Sequence, residues 1–194
     1  IGKHRILDFT DFEKVGEYAI EYGGIKTPYF RIGEDIWKNA QWKVLNFIFC
    51  QRCGYNVPGI HSTCHTDLYS EHNGVRIPYS GGWHDAGDLS QQTLQTADVT
   101  FALLEAYRKA LQSNPVLASR LKEEARWGLE FVMKNRYSDG YRASSMGLLH
   151  WLDGVVGSKD DIKTVRMQNL PFDNFLYSGY EAYAALTLKE EDRK

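Results

Sequence analysis

Two carboxylates stand three residues apart in Ser80-Gly81-Gly82-Trp83-His84-Asp85-Ala86-Gly87-Asp88, a glycine-rich run directly ahead of a helical pattern. At that spacing Asp85 and Asp88 can point into one cleft, where one carboxylate orients a water molecule and the other deprotonates it. The glycines admit turn conformations closed to other residues and leave room for a bulky substrate. The competing reading of a bare pair of this spacing is an aspartate that caps the following helix.

A second constellation lies upstream. Cys53, Cys64, His65 and His84 supply two thiolates and two imidazoles, a usual tetrahedral set for structural zinc. Such a site would tie down the long stretch from Tyr55 to Ser80 and, through His84, anchor the turn that carries Asp85. Three alternatives stand beside it: Cys50 replacing His84, a Cys53–Cys64 disulfide, and plain packing. His61 and His72 are near enough in sequence to substitute as ligands. Trp83, Trp127, Tyr141 and Trp151 could offer ring faces to a sugar, with His84 close by; Trp151, in a loop after His150, is the best placed for a cleft, and Trp83 and Trp127 equally suit packing. For calcium no dense acidic loop with ligand spacing exists; Asp160-Asp161 is more simply a solvated turn.

The elements that must position these groups follow from pattern. The chain has 194 residues, 43% hydrophobic and 25% charged, with a net charge of −2. That balance suits a globular protein and gives no reason to invoke nucleic acid or an anionic membrane. No apolar run is long enough to span a bilayer. The chain opens on Ile1 rather than Met, which fits removal of a leader and a secreted, periplasmic or cell-surface location. Asp8–Phe12 and Tyr18–Tyr22 read as strands by period-two alternation, with Gly16 and Gly23-Gly24 as turns and Thr27–Gly33 as a linker. Helical spacing runs from Gly33 to Cys50, from Thr93 to Leu111, from Leu121 to Asn135 and from Phe175 to Leu188. Pro115 suits a first helical turn. Tyr55–Ser80 and Tyr141–Asn174 read as mostly irregular. Helices joined by connections this long fit a helical toroid better than a compact bundle.

The run Gly81-Gly82-Trp83-His84-Asp85-Ala86-Gly87-Asp88 closely resembles the signature of glycoside hydrolase family 9, the inverting cellulase-type enzymes. Gln51-Arg52-Cys53-Gly54 resembles the end of that family's first barrel helix, and Arg126–Phe131 resembles its next one. Cys64-His65 resembles a pair found in members with an N-terminal immunoglobulin-like domain. The resemblance implies a mainly α fold: a partial (α/α)6 barrel over 33–194, preceded over 1–32 by the last β-strands of an immunoglobulin-like sandwich. It implies an inverting hydrolase of β-1,4-glucan (cellulose, mixed-linkage glucan or xyloglucan) with Asp88 as general base and Asp85 holding the water. Inversion needs acid and base carboxyls ~6.5–9.5 Å apart, so the acid is another residue. In the family it is a Glu near the end of the barrel, which the resemblance places outside this chain; Glu181, Glu190 and Glu191 match no such motif. The 194 residues then read as part of a longer protein whose remaining barrel half is a partner, and alone they would be inactive, exposing large apolar helix faces. The resemblance also implies structural zinc in this branch, and calcium is common in the family. Other expectations left open are a carbohydrate-binding or scaffold pseudoenzyme that lost the acid, and an exo-acting glucosidase or glucosaminidase.

Overall fold

The computed structural model describes residues 6–87, 89–150 and 162–189. Asp88, Trp151, Asp160-Asp161, Glu190 and Glu191 therefore lie outside the described residues. The chain divides into two compact units, Ile1–Val44 and Leu45–Lys194.

In the first unit, β1 (Gly16–Tyr18) pairs antiparallel with β4 (Phe30–Ile32), and β2 (Glu21–Tyr22) with β3 (Ile25–Lys26). The short pair is closed by Gly23 and Gly24, both at positive φ (60° and 78°). Three expectations fail here. Gly16, read as a turn, is the first residue of β1, opposite Ile32. Asp8–Phe12 forms a turn rather than a strand, because the Asp8 carboxylate accepts from both the N–H and the hydroxyl of Thr10 and so competes with a ladder. The supposed linker contains β4, whose Phe30 ring packs 5.6 Å from Phe9 and 6.4 Å from Tyr18.

Helix α1 (Lys38–Cys50) begins in the first unit and ends in the second. The second unit is built on an antiparallel helix pair, α2 (Thr93–Ala110) and α3 (Pro115–Lys134), with α4 (Pro171–Lys189) against α2. The Asn114 side chain accepts from the Leu117 N–H at 3.2 Å while Pro115 occupies the first turn, so the break and restart seen in the sequence are both capped. On α3 the buried positions Leu117, Leu121, Glu124, Ala125, Gly128, Phe131 and Val132 form one stripe facing α2 and the site.

The two stretches read as irregular hold sheets instead. Between α1 and α2, β5 (Tyr69–His72) and β6 (Val75–Pro78) form a hairpin whose two-residue loop is Asn73-Gly74, at φ 48° and 76°. That pair is the preferred chemistry for a primed turn, whose twist matches the strands. After α3, β8 (Arg142–His150) runs between β7 (Gln91–Gln92) and β9 (Ile162–Gln168). Leu68, Tyr79, Phe131, Ala143 and Met146 form a core under this sheet, with Val165 and Met167 against it. Arg142-Ala143-Ser144-Ser145 carries little intrinsic strand preference; the tertiary environment decides its conformation.

Candidate active site and metal centre

The turn that carries the signature is held by its backbone. Gly81 and Gly82 sit at φ 105° and 65°. A Cβ on Gly82 would also fall 2.8 Å from the Phe131 ring, so glycine is required twice over. The Gly82 carbonyl accepts from the Cys53 N–H at 3.0 Å and the Trp127 indole N–H at 2.8 Å. The His84 N–H donates to the Gln51 carbonyl at 2.9 Å, and Arg52 faces Trp83 in a short antiparallel bridge. The end of α1 and the signature turn are thus stitched to one another just before Asp85.

Asp85 is exposed and fixed on three sides. Its N–H donates to the Ser90 carbonyl at 2.9 Å, one carboxylate oxygen accepts from the Ser90 hydroxyl at 2.6 Å, and the other accepts from the Gln92 amide at 3.2 Å. It stands at the edge of a cleft of about 570 Å3 between Trp83, Gly87, Gln95, Thr96 and Val99. Leu89 adopts φ 57° within the same turn, an uncommon conformation for a branched side chain and a sign that the surroundings over-determine the loop. The cap position of α2 belongs to Gln92, which makes no side-chain cap bond.

The second constellation comes together. One donor atom from each of Cys53, Cys64, His65 and His84 lies within 4.8 Å of the others, and all four residues are buried. The two Sγ atoms are 4.0 Å apart, Cys53 Sγ is 3.3 Å from His65 Nδ1, and Cys64 Sγ is 3.3 Å from His84 Nε2. A tetrahedral zinc with ordinary Zn–S and Zn–N bonds requires edges of ~3.8 Å between sulfurs and ~3.5 Å between sulfur and nitrogen. The donors fit that shape. The Gly54 N–H donates to Cys64 Sγ at 3.5 Å, as a second layer around a thiolate does. Cys64 is held well below the usual thiol range, first by its contact with Cys53 and then by both imidazoles and the Gly54 N–H. Cys53 is pushed up by Cys64 and by burial. The pair therefore carries one thiolate readily, and a divalent cation would displace the remaining proton. The outer nitrogens, His65 Nε2 and His84 Nδ1, are buried without a partner among the described residues, a cost that ligation at the inner nitrogens would offset. His65 itself holds φ 54°, a conformation uncommon for a residue with a side chain.

The alternatives separate cleanly. All three cysteines are free, so Cys53 and Cys64 form no disulfide. Cys50 Sγ faces Asn46 at 3.7 Å, outside the cluster. The ring nitrogens of His61 lie 2.8 and 3.1 Å from the carbonyl oxygens of Ser62 and Cys50, which accept from the imidazole, rather than joining the thiols, and His72 contacts Asp139 at 2.7 Å. Trp83 is buried, its indole N–H on Glu124 at 2.7 Å. Trp127 lies half-buried beneath the Arg52 guanidinium, and Tyr141 stacks on His72 at 4.2 Å. Glu181 pairs with Arg142 at 2.7 Å. The sequence reading missed Ser90 and Gln92, which clasp Asp85, and the buried pair Arg52–Glu124. A carboxylate at a core position of the α3 stripe was the available signal for Glu124.

The profile of glycosyl hydrolase family 9 matches residues 37–164. The chain belongs to that family. It is 27% identical over 161 residues to Endoglucanase D of Acetivibrio thermocellus, covering 70% of this chain and 25% of that protein. Endoglucanase C of Cellulomonas fimi is 23% identical over 186 residues, with 75% and 17% covered. The chain thus spans a quarter or less of the length of these curated relatives. A single mutant of a thermostable endoglucanase from Alicyclobacillus acidocaldarius shares the fold at a TM-score of 0.73 and 21% identity, over 96% of this chain and 39% of that one. A zinc-binding triple mutant of the family 9 endoglucanase J30 gives 0.65 at 19% identity, over 96% and 44%. The four helices with their sheets are compatible with part of the (α/α)6 barrel of these enzymes.

Proposed function

We propose that this chain is the N-terminal portion of an inverting hydrolase of β-1,4-glucans, with Asp88 as the general base. The reading assigns the strands of 1–32 to the end of an immunoglobulin-like domain and 33–194 to the first part of the barrel. The observation that carries it is Asp85, held by Ser90 and Gln92 at the edge of a cleft within the signature turn. A carboxylate gripped on two sides keeps its remaining lone pairs in a fixed direction, which suits holding a water for a neighbouring base. In the reaction Asp88 takes a proton from that water as it attacks the anomeric carbon from the face opposite the leaving oxygen. A Glu beyond this chain donates a proton to that oxygen. No bond forms between sugar and protein, so the configuration inverts.

Cys53, Cys64, His65 and His84 hold a structural zinc in this reading. The ion supplies a fixed cross-link between the end of α1, the segment before β5 and the signature turn, and takes no part in the chemistry. The bare apolar side chains of α4, with Phe172 70% and Phe175 80% exposed, support the remaining barrel half as the partner of this face. No helix among the described residues is long and apolar enough to cross a membrane; the reading places the protein in a secreted, periplasmic or cell-surface setting, where its polymer substrate is found.

The test is release of reducing ends from soluble β-1,4-glucans by the full-length protein beside its Asp88→Ala variant. A base contributes ~10²–10⁴-fold, so the variant is expected to lose at least two orders of magnitude. Equal release from both would remove Asp88 from the mechanism. Release of monomer alone would favour the exo reading, and no release on any β-glycan would favour a binding protein.

A further inference from the structure

Arg52 and Glu124 form a bidentate ion pair, at 3.1 and 2.8 Å, with both side chains buried. The same carboxylate accepts the Trp83 indole N–H at 2.7 Å. Arg52 and Trp83 are the two opposed residues of the bridge between the end of α1 and the signature turn. In an antiparallel bridge opposed residues project to one face and their sequence neighbours to the other. The neighbours are Cys53 and His84, whose donor atoms belong to the four-residue cluster. The bridge is therefore held from both sides: by the Glu124 carboxylate on one face and by the ligand set on the other.

From this juxtaposition we infer that Glu124 is a positioning residue for the metal centre: by clamping Arg52 to Trp83 it fixes the spacing of Cys53 and His84. The inference rests on the zinc reading above. The guanidinium also lies 4.6 Å from the Trp127 ring and 4.9 Å from Phe49, so the clamp cannot swing away from its bridge. Residues that orient metal ligands without touching the ion are worth ~10–100-fold in affinity where they have been removed. Glu124 acts one step further back, through two side chains at once, and the lower end of that range is expected.

The experiment uses the full-length protein, stripped of metal and reloaded, with the zinc dissociation constant measured by competition with a chromophoric chelator. The cobalt-substituted form reports ligand geometry by its visible absorption. Glu124→Gln is expected to weaken zinc at least ~10-fold and to alter the cobalt bands. Leu104→Ala, a core truncation in α2 that removes neither a donor of the cluster nor a hydrogen bond of the bridge, is expected to lower stability and leave both readouts as in wild type. Because Glu124→Gln leaves the buried Arg52 guanidinium with only the half-exposed Glu123 carboxylate, 3.8 Å away, as its ionic partner and can fail to fold, the double variant Arg52→Met/Glu124→Met is the second arm. It replaces the ion pair by apolar side chains, leaves the buried Trp83 N–H without its acceptor and the bridge unclamped, and should also bind zinc less tightly. Wild-type affinity and cobalt spectrum in either folded variant would overturn the inference while leaving the zinc reading intact, as would equal weakening in Leu104→Ala. A wild-type protein that takes up no zinc would overturn both.

Discussion

Gly128→Ala should be destabilising although alanine is the better helix former. Gly128 lies in the middle of α3, where the exchange gains about 1 kcal/mol from intrinsic preference alone. A Cβ there would lie 2.3 Å from the Thr100 hydroxyl oxygen and 2.3 and 2.5 Å from two atoms of the Trp83 six-membered ring. Ordinary contact is ~3.5–4.0 Å, so the shortfall exceeds 1 Å on two sides. Neither neighbour has room to yield. Trp83 is tethered by its N–H to Glu124, and the Thr100 hydroxyl donates to the Thr96 carbonyl at 2.7 Å within α2. The helices must therefore separate, and overpacking of this kind costs ~1–3 kcal/mol or more. With the cost at about 3 kcal/mol, the top of that range because both neighbours are held, and the propensity gain at about 1 kcal/mol, a net loss of about 2 kcal/mol is expected. Equilibrium denaturation of the full-length protein measures it. The double variant Gly128→Ala/Thr100→Ala removes one of the two clashes and should recover part of the loss as a favourable coupling. A Gly128→Ala protein as stable as wild type would refute the account of how Trp83 is seated.

Chelation should lower the Tm of wild type, by the equivalent of about 2.7 kcal/mol where zinc stands at a hundred times its dissociation constant, and Cys64→Ser should be insensitive to the chelator; an unchanged wild-type Tm would count against structural zinc. Asp139 accepts from His72, which holds its carboxyl below the usual carboxylate range. Its folded value is depressed, so the contact contributes above the ordinary carboxylate value and is lost only as pH falls through the lower folded one. A carbon NMR titration should find a higher midpoint in His72→Ala than in wild type, since the largest of the contacts that lower it is gone while the Tyr141 N–H remains. Phe175→Glu in the full-length protein should cost roughly 1.5–3 kcal/mol, the value of burying such a ring, and a neutral effect would mean that nothing covers this face of α4.

The amino-acid sequence by itself determined the four helices and the family. Apolar spacing places α2 and α3 in one dimension, and Asn114-Pro115 marks the break between them because capping is a local matter. The signature turn was legible because its glycines are needed for backbone conformation within a few residues. The Asn73-Gly74 hairpin was legible too and was passed over, hidden in a stretch judged by composition rather than by its turn. Only the tertiary structure decided the rest. Strand β8 opens on residues of weak preference and exists because the sheet closes over Phe131, with its own Met146 in that core. Which of several nearby histidines joins Cys53 and Cys64 depends on a bridge between residues about thirty apart. Glu124 meets Arg52 across 72 positions, and a partnership at that distance leaves no local period. Its only trace is a charge where the helix should have been apolar, and what that charge is for appears when the fold brings Arg52 and Trp83 to it.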